Sequence, residues 1–389
     1  MTTKRRLLVP IYSAMLLLVF HTFIVAYINS SFLEQFIGTD SVGTIYTLSS
    51  ALTILIFLFI SHVLQRVGNF RLTVGLVLLN ALAVTGLAFA DSLRTVVPLF
   101  LIHLTAVPLI VFNLDVYLED QIGNNEDITG SRRGLLLTMV SFIGALAPLF
   151  SGMLVDPETG SFAAAYLVSA ATLFPILVIL LFFFPTFSNP PYQEIRVFAA
   201  LRTFWATQSI RAVFLAHFVL QMFFMVMVVY TPIYLTDRVG LSWAQFGIVM
   251  FFAQMAYVLC EYPIGIIADK YIGEKEMMGL GFLVLAISTA WISFVTIPDV
   301  IIWSIIMFVT RVGASLVEVT TESNFFKQTK SSDAQIISFF RITRPLAIVV
   351  GTLGASLALL YLPFNLLYIL TALLMVPALF FTLNVVDSK

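Results

Sequence analysis

Apolar runs of membrane-crossing length alternate with short polar breaks along the whole chain. They fall near residues 8–30, 43–64, 72–90, 95–118, 134–154 and 162–184. A longer polar stretch intervenes, and six more follow near 212–235, 244–268, 277–297, 300–321, 341–362 and 364–384. An α-helix needs about 20 mostly apolar residues to cross a bilayer. The pattern therefore predicts an all-α membrane protein of twelve transmembrane helices. The first six occupy residues 1–184 and the last six 212–389, with 185–211 as a linker. In that linker Ile195, Phe198, Ala199 and Leu201 recur among Arg196, Arg202 and Arg211. The expectation is an amphipathic helix on the inner membrane surface, or else a plain connection.

Composition supports the class. Hydrophobic residues make up 60% of the chain and charged residues 11%, whereas soluble domains carry about 25% charge. The net charge is −1, and no nucleic-acid partner is expected. Cys260 is the lone cysteine, so there is no disulfide framework and no metal set. No cofactor and no metal are expected. Lys4, Arg5 and Arg6 precede the first run, which is long enough to span and lacks a clear small-residue cleavage site. It reads as a helix rather than a signal peptide.

Basic residues orient the chain, because cytoplasmic loops collect lysine and arginine. With the N-terminus in the cytoplasm, 17 of the 20 basic residues fall on the inner side. Arg94 and Arg238 fall outside, and Arg311 lies inside a span. Only an even number of spans with both termini cytoplasmic produces that bias.

Charge is concentrated at a few helix ends. The segment Glu261 to Glu276 joins the eighth and ninth spans through Gly265, Asp269, Lys270 and Gly273. Gly265 is expected to let backbones approach closely and Gly273 to permit a tight turn. Ser61, Gln65, Arg66 and Gly68 occupy the matching place after the second span. Asp115 and Glu119 end the fourth span on one helical face, and Arg132 and Arg133 open the fifth. Glu318 and Glu322 end the tenth, and Arg341 and Arg344 open the eleventh. The plan is thus repeated in the two halves.

These residues resemble the Gly-x-x-x-Asp-Arg-x-Gly-Arg-Lys signature of the major facilitator superfamily. Lys270 replaces its Arg, and one extra residue separates Asp269 from Gly273. In the first copy Ser61 replaces its Gly and Gln65 its Asp. Gly144 to Gly152, with Pro148, Ala147 and Ser151, is similar to a degenerate Gly-Pro-x-x-Gly-Gly signature of proton-coupled drug exporters in that superfamily. The resemblance implies two parallel six-helix halves that rock about a central site. It implies cytoplasmic latches built from Asp269, Lys270, Glu318, Glu322, Arg341 and Arg344 in the second half. Their counterparts in the first are Arg66, Asp115, Glu119 and Arg133.

Polar residues inside the spans are the candidates for substrate or proton coupling. They are His21, Gln221, Gln254, Glu261 and Arg311. Glu261 lies eight residues inside Asp269, roughly 12 Å deep at 1.5 Å per residue. A charge at mid-span costs about 2.5–3.5 kcal/mol on insertion scales. Glu261 and Arg311 are therefore expected to face each other or a wet cavity, with Glu318 a rival partner for Arg311. His21 is either a coupling group or a neutral imidazole bonded to a neighbouring helix. His217 shares a face with Gln221.

The expected function is secondary active transport of a small organic solute by alternating access. Proton coupling is expected, because no phosphate-binding Gly-x-x-x-x-Gly-Lys-Ser/Thr loop is present. The degenerate fifth-span signature leans to export. The alternatives are uptake of an anionic nutrient or sugar, and a transporter-like receptor that moves nothing. A lipid-modifying enzyme would need a nucleophile, base or metal cluster, and the residues supply none. The expected setting is a monomer in the cell (inner) membrane, with lipid, solute and protons as its partners.

Overall fold

The computed structural model describes the backbone of residues 7–122, 126–190, 208–328 and 334–385. Side chains are described at those positions except 119–122, 126–135, 137, 269, 326 and 334–342. The described residues form helices and no strand.

Twelve helices follow the apolar pattern. They are α1 (Leu8–Ala26, continued past a short turn by Asn29–Ile37), α2 (Thr39–Val67), α3 (Asn69–Ala88), α4 (Leu93–Ile122), α5 (Glu126–Leu154) and α6 (Ala163–Phe183). After the central stretch come α7 (Gln208–Ile233), α8 (Trp243–Ile267), α9 (Glu274–Ile292), α10 (Val300–Gln328), α11 (Ala334–Leu359) and α12 (Leu366–Thr382). Nine described stretches are long and apolar enough to cross a membrane, and three shorter apolar ones lie within α5, α11 and α12. Residues 208–211, expected in the linker, already belong to α7. The amphipathic helix anticipated around Arg196 and Arg202 lies outside the described residues.

Helix ends are set by glycine where the chain turns sharply. Gly68 (φ 83°) separates α2 from α3, and Gly273 (φ 110°) precedes α9. Both angles are in the region that side chains with a Cβ avoid. Before Gly273, the end of α8 relaxes into one wide π turn, Ala268–Ile272. The same device thus opens the third helix of each half.

Two compact units emerge, residues 1–38 with 48–194, and residues 39–47 with 195–389. In the first, α1 packs on α4, α5 and α6, and α3 packs on α4 and α6. Ile60 and Leu64 of α2 meet Leu109 of α4. In the second, α7 packs on α10, α11 and α12, α9 on α10 and α12, and α8 on α10. Adding six to each helix number maps one set of pairs onto the other. The internal repeat seen as charge in the sequence is therefore also a repeat of packing.

In the second unit α9 and α10 cross closely. A Cβ on Gly313 would lie 2.8 Å from the backbone nitrogen of Leu285, and one on Gly281 would lie 3.0 Å from the carbonyl oxygen of Gly313. Small residues let membrane helices approach this closely. Gly265, expected to play that part, does not: its nearest neighbour would be Val319 at 3.9 Å, ordinary contact. Thr39–Thr47 at the start of α2 belongs to the second unit. There Gly43 fits against Tyr230, Thr352 and Ser356, and Thr47 Oγ1 lies 2.8 Å from Thr352 Oγ1.

Candidate functional site

Each unit holds a cluster of buried polar side chains, and the two differ in chemistry. In the first unit His21 of α1 is completely buried. Its Nδ1 lies 3.0 Å from the carbonyl oxygen of Ser169 and 2.8 Å from Ser169 Oγ on α6. The Ser169 hydroxyl donates its proton to the His21 carbonyl at 2.9 Å, so His21 Nδ1 is the donor in that pair. Nε2 then accepts from Asn80 Nδ2 of α3 at 2.9 Å. Asn80 Oδ1 in turn accepts from His103 Nδ1 of α4 at 2.8 Å. The two imidazoles meet edge to face at 5.5 Å. Both His21 nitrogens are satisfied with the ring neutral. The sequence flagged only His21 here. Asn80, His103 and Ser169 sit on three other helices, and only their polarity within apolar runs could have marked them.

The second unit carries charge. Along α10, Ser304, Arg311, Ser315, Glu318 and Glu322 are spaced by seven, four, three and four residues, which puts all five on one helical face. Thr321 lies beside that face. Glu318 is half-buried and Glu322 exposed. Glu261 of α8 is half-buried and lies within electrostatic reach of Glu322 and Glu318. Arg344 of α11 acts on Glu318 and also on His217 of α7. His217 Nδ1 lies 3.2 Å from Thr321 Oγ1, and Gln221 Nε2 lies 3.1 Å from His217 Nε2. The Thr321 hydroxyl donates to the Val317 carbonyl at 2.8 Å, so His217 repeats the arrangement of His21. Among the described side chains, four helices thus bring three carboxylates, one guanidinium and one imidazole within electrostatic reach of one another.

This grouping changes the sequence reading in two ways. Glu261 and Arg311 were expected to face each other or a wet cavity, and the structure does not pair them. Arg311 makes no ion pair or hydrogen bond with any described residue; its guanidinium carbon lies 5.4 Å from the ring centre of Phe223 on α7. The physical reason is position along α10. Arg311 precedes Glu318 by seven residues, roughly 10 Å at 1.5 Å per residue, and Glu261 lies at the level of the acids. Second, Glu261, a coupling candidate, and Glu318, Glu322 and Arg344, latch candidates, fall in one cluster rather than two.

The remaining candidates are dispersed. Gln254 is buried on α8. Lys270 and Arg66 are exposed, and Asp115 is half-buried. The side chains of Asp269, Arg341, Glu119 and Arg133 lie outside the described residues. The sequence reading missed Glu274, which is 1% exposed. It forms an ion pair with Lys327 at the far end of α10. That pair ties the start of α9 to the end of α10.

Comparison with known proteins agrees with this architecture. The chain matches the Major Facilitator Superfamily over residues 11–321 and again over 213–389. It is 28% identical over 149 residues to the multidrug efflux pump SdrM of Staphylococcus aureus (strain N315), a match covering 37% of this chain and 32% of that protein. The chain therefore aligns with about a third of that relative's length. Among solved structures it resembles the nucleoside transporter NupG (TM-score 0.79, 12% identity, 97% of this chain and 99% of that one). It also resembles the POT family transporter PepTSo (TM-score 0.78, 12% identity, 97% of both chains). At such identities the likeness speaks for the fold. With twelve apolar helices, repeated packing in two units and the match along its length, this chain belongs to the Major Facilitator Superfamily and is a multi-pass membrane transporter, not an enzyme.

Proposed function

We propose that this chain is a proton-coupled secondary transporter that exports a small organic solute by alternating access. The observation that carries the reading is the cluster of Glu261, Glu318 and Glu322 faced by Arg344. Three ionised carboxylates exceed one guanidinium by two charges. A bilayer interior penalises such a surplus, so the cluster favours whatever neutralises it, a proton or a cationic solute. Competition of those two for the same carboxylates couples their movements in opposite directions. The partial likeness to a multidrug efflux pump supports the export direction. A ligand moves such a machine only by binding its two states unequally. Electrostatic attraction between Glu318 and Arg344, strong in one state and weak in the other, supplies that inequality. Asp269 and Arg341 are proposed as further members of the same cytoplasmic latch.

In this reading both termini and residues 185–211 face the cytoplasm of a cell-membrane monomer. Residues 1–184 and 212–389 are the two rocking halves. Gln221, bonded to His217, lies beside the cluster, and Gln254 is proposed as a further solute contact on α8.

The test uses Glu261→Gln, which is nearly isosteric and cannot ionise. Reconstituted protein is first screened by counterflow with lipophilic cations, sugars and organic anions, with cations expected to exchange. Glu261→Gln should then abolish accumulation driven by a proton gradient while exchange without a gradient persists. Wild-type accumulation with unchanged pH dependence in Glu261→Gln would overturn the coupling role.

A further inference from the structure

Among the described residues of the second unit, Arg311 is the largest charged side chain to be buried, at 2% exposure. Its Nη1 is sealed from solvent with no hydrogen-bond partner among the described residues. A guanidinium is always charged and has five N–H donors and no acceptor. Helix α10 offers it no relief. Ser315, one turn on and on the same face, is completely buried with its hydroxyl unpartnered, and the hydroxyl of Ser304, two turns back, is also buried and unpartnered. Beside the guanidinium stands the Phe223 ring, which attracts a cation weakly and gives it no hydrogen bond. The nearest acids along the stripe, Glu318 and Glu322, belong to the cluster with Glu261 and Arg344.

An unused donor on a buried positive charge lacks one thing, an acceptor with negative charge. We infer that Arg311, with the Ser315 hydroxyl one turn on, forms a buried binding site for a small monoanion, a halide or a carboxylate. The fork of the guanidinium suits a carboxylate, whose two oxygens it meets with two parallel N–H groups. Phe223 forms an apolar wall that keeps the interaction in a low dielectric, where it is strongest. The site is separate from the acidic cluster and does not rest on the proposed proton coupling.

The experiment follows thermal unfolding of the full chain in lipid nanodiscs. Chloride or acetate replaces a bulky organic sulfonate as the counter-ion at constant ionic strength. A ligand that binds the folded state raises the midpoint saturably. Wild type should show that rise, and Arg311→Met should lose it. Arg311→Lys keeps the charge without the fork, so its affinity should fall about tenfold. An unchanged response in Arg311→Met means an adventitious ion only, and no response in wild type overturns the site outright. Should Arg311→Met fail to fold, Arg311→Lys decides: affinity equal to wild type overturns the proposal. Uptake of labelled acetate by proteoliposomes assigns the site to the carboxylate of a transported solute, whereas saturable stabilisation by chloride without uptake assigns it to a resident inorganic ion. Because the readout is anion-dependent stability, failure of the Glu261→Gln test leaves this result unaffected.

Discussion

Asn80 holds His21 by donating its amide N–H to the imidazole Nε2 at 2.9 Å, and its own oxygen is occupied by His103. One amide therefore satisfies two imidazoles from two different helices. Removing it strands both. A buried group left unpaired costs about 1–3 kcal/mol. Asn80→Ala should lower the unfolding midpoint of the purified protein clearly more than His103→Ala does alone. A double-mutant cycle between the two should give a coupling above about 0.5 kcal/mol. Strict additivity would mean that the network is not a unit.

Gly313 and Gly354 make a contrasting pair of helix glycines. A Cβ at 313 meets the backbone of Leu285 at 2.8 Å, while one at 354 meets nothing within 4 Å. Gly313→Ala should destabilise by about 1–3 kcal/mol through forced separation of α9 and α10. Gly354→Ala should be neutral or stabilising by up to about 1 kcal/mol, from helix propensity alone. Thermal unfolding in one detergent measures both, and equal effects would contradict the close crossing.

Lys327 and Glu274 give a third test. Glu274 is 1% exposed while the Lys327 side chain is 40% exposed. Lys327→Met leaves a buried carboxylate without its cation. The loss should approach, but stay below, the roughly 3–5 kcal/mol seen for fully buried pairs, since water screens the lysine. Adding Glu274→Gln to Lys327→Met should restore part of that stability. If the double variant is weaker than Lys327→Met, the pair is not the source of the effect.

The basic-residue bias makes a prediction about topology. Reporter fusions after Lys389 and within residues 185–211 should both report the cytoplasm. Either one found on the opposite side overturns the twelve-span orientation.

The number and order of the helices were legible from the chain because a bilayer demands long apolar runs whatever their partners. Their ends were less so. Helix α2 starts at Thr39 and α7 at Gln208, each several residues before the apolar run begins, because helical hydrogen bonds continue into polar sequence. The repeat between halves was visible as acids before arginines, and it reappears as matched packing pairs. The glycines show the limit of such reading. Gly273 could be assigned to its turn from local sequence, since a positive φ is a property of one residue. The close approach expected at Gly265 occurs instead at Gly281 and Gly313, because approach depends on which helices cross.

The same division holds for the candidate site. Sequence alone determined that charges lie inside the spans, that they are few, and which of them share a helical face. Only the tertiary structure decided their partners. It set Glu261 within electrostatic reach of Glu318 and Glu322, left Arg311 against Phe223, and closed His21 into a network with Asn80 and Ser169. The reason is physical. Helical periodicity fixes the direction of a side chain from its number, whereas the depth at which two helices meet depends on how all the others pack.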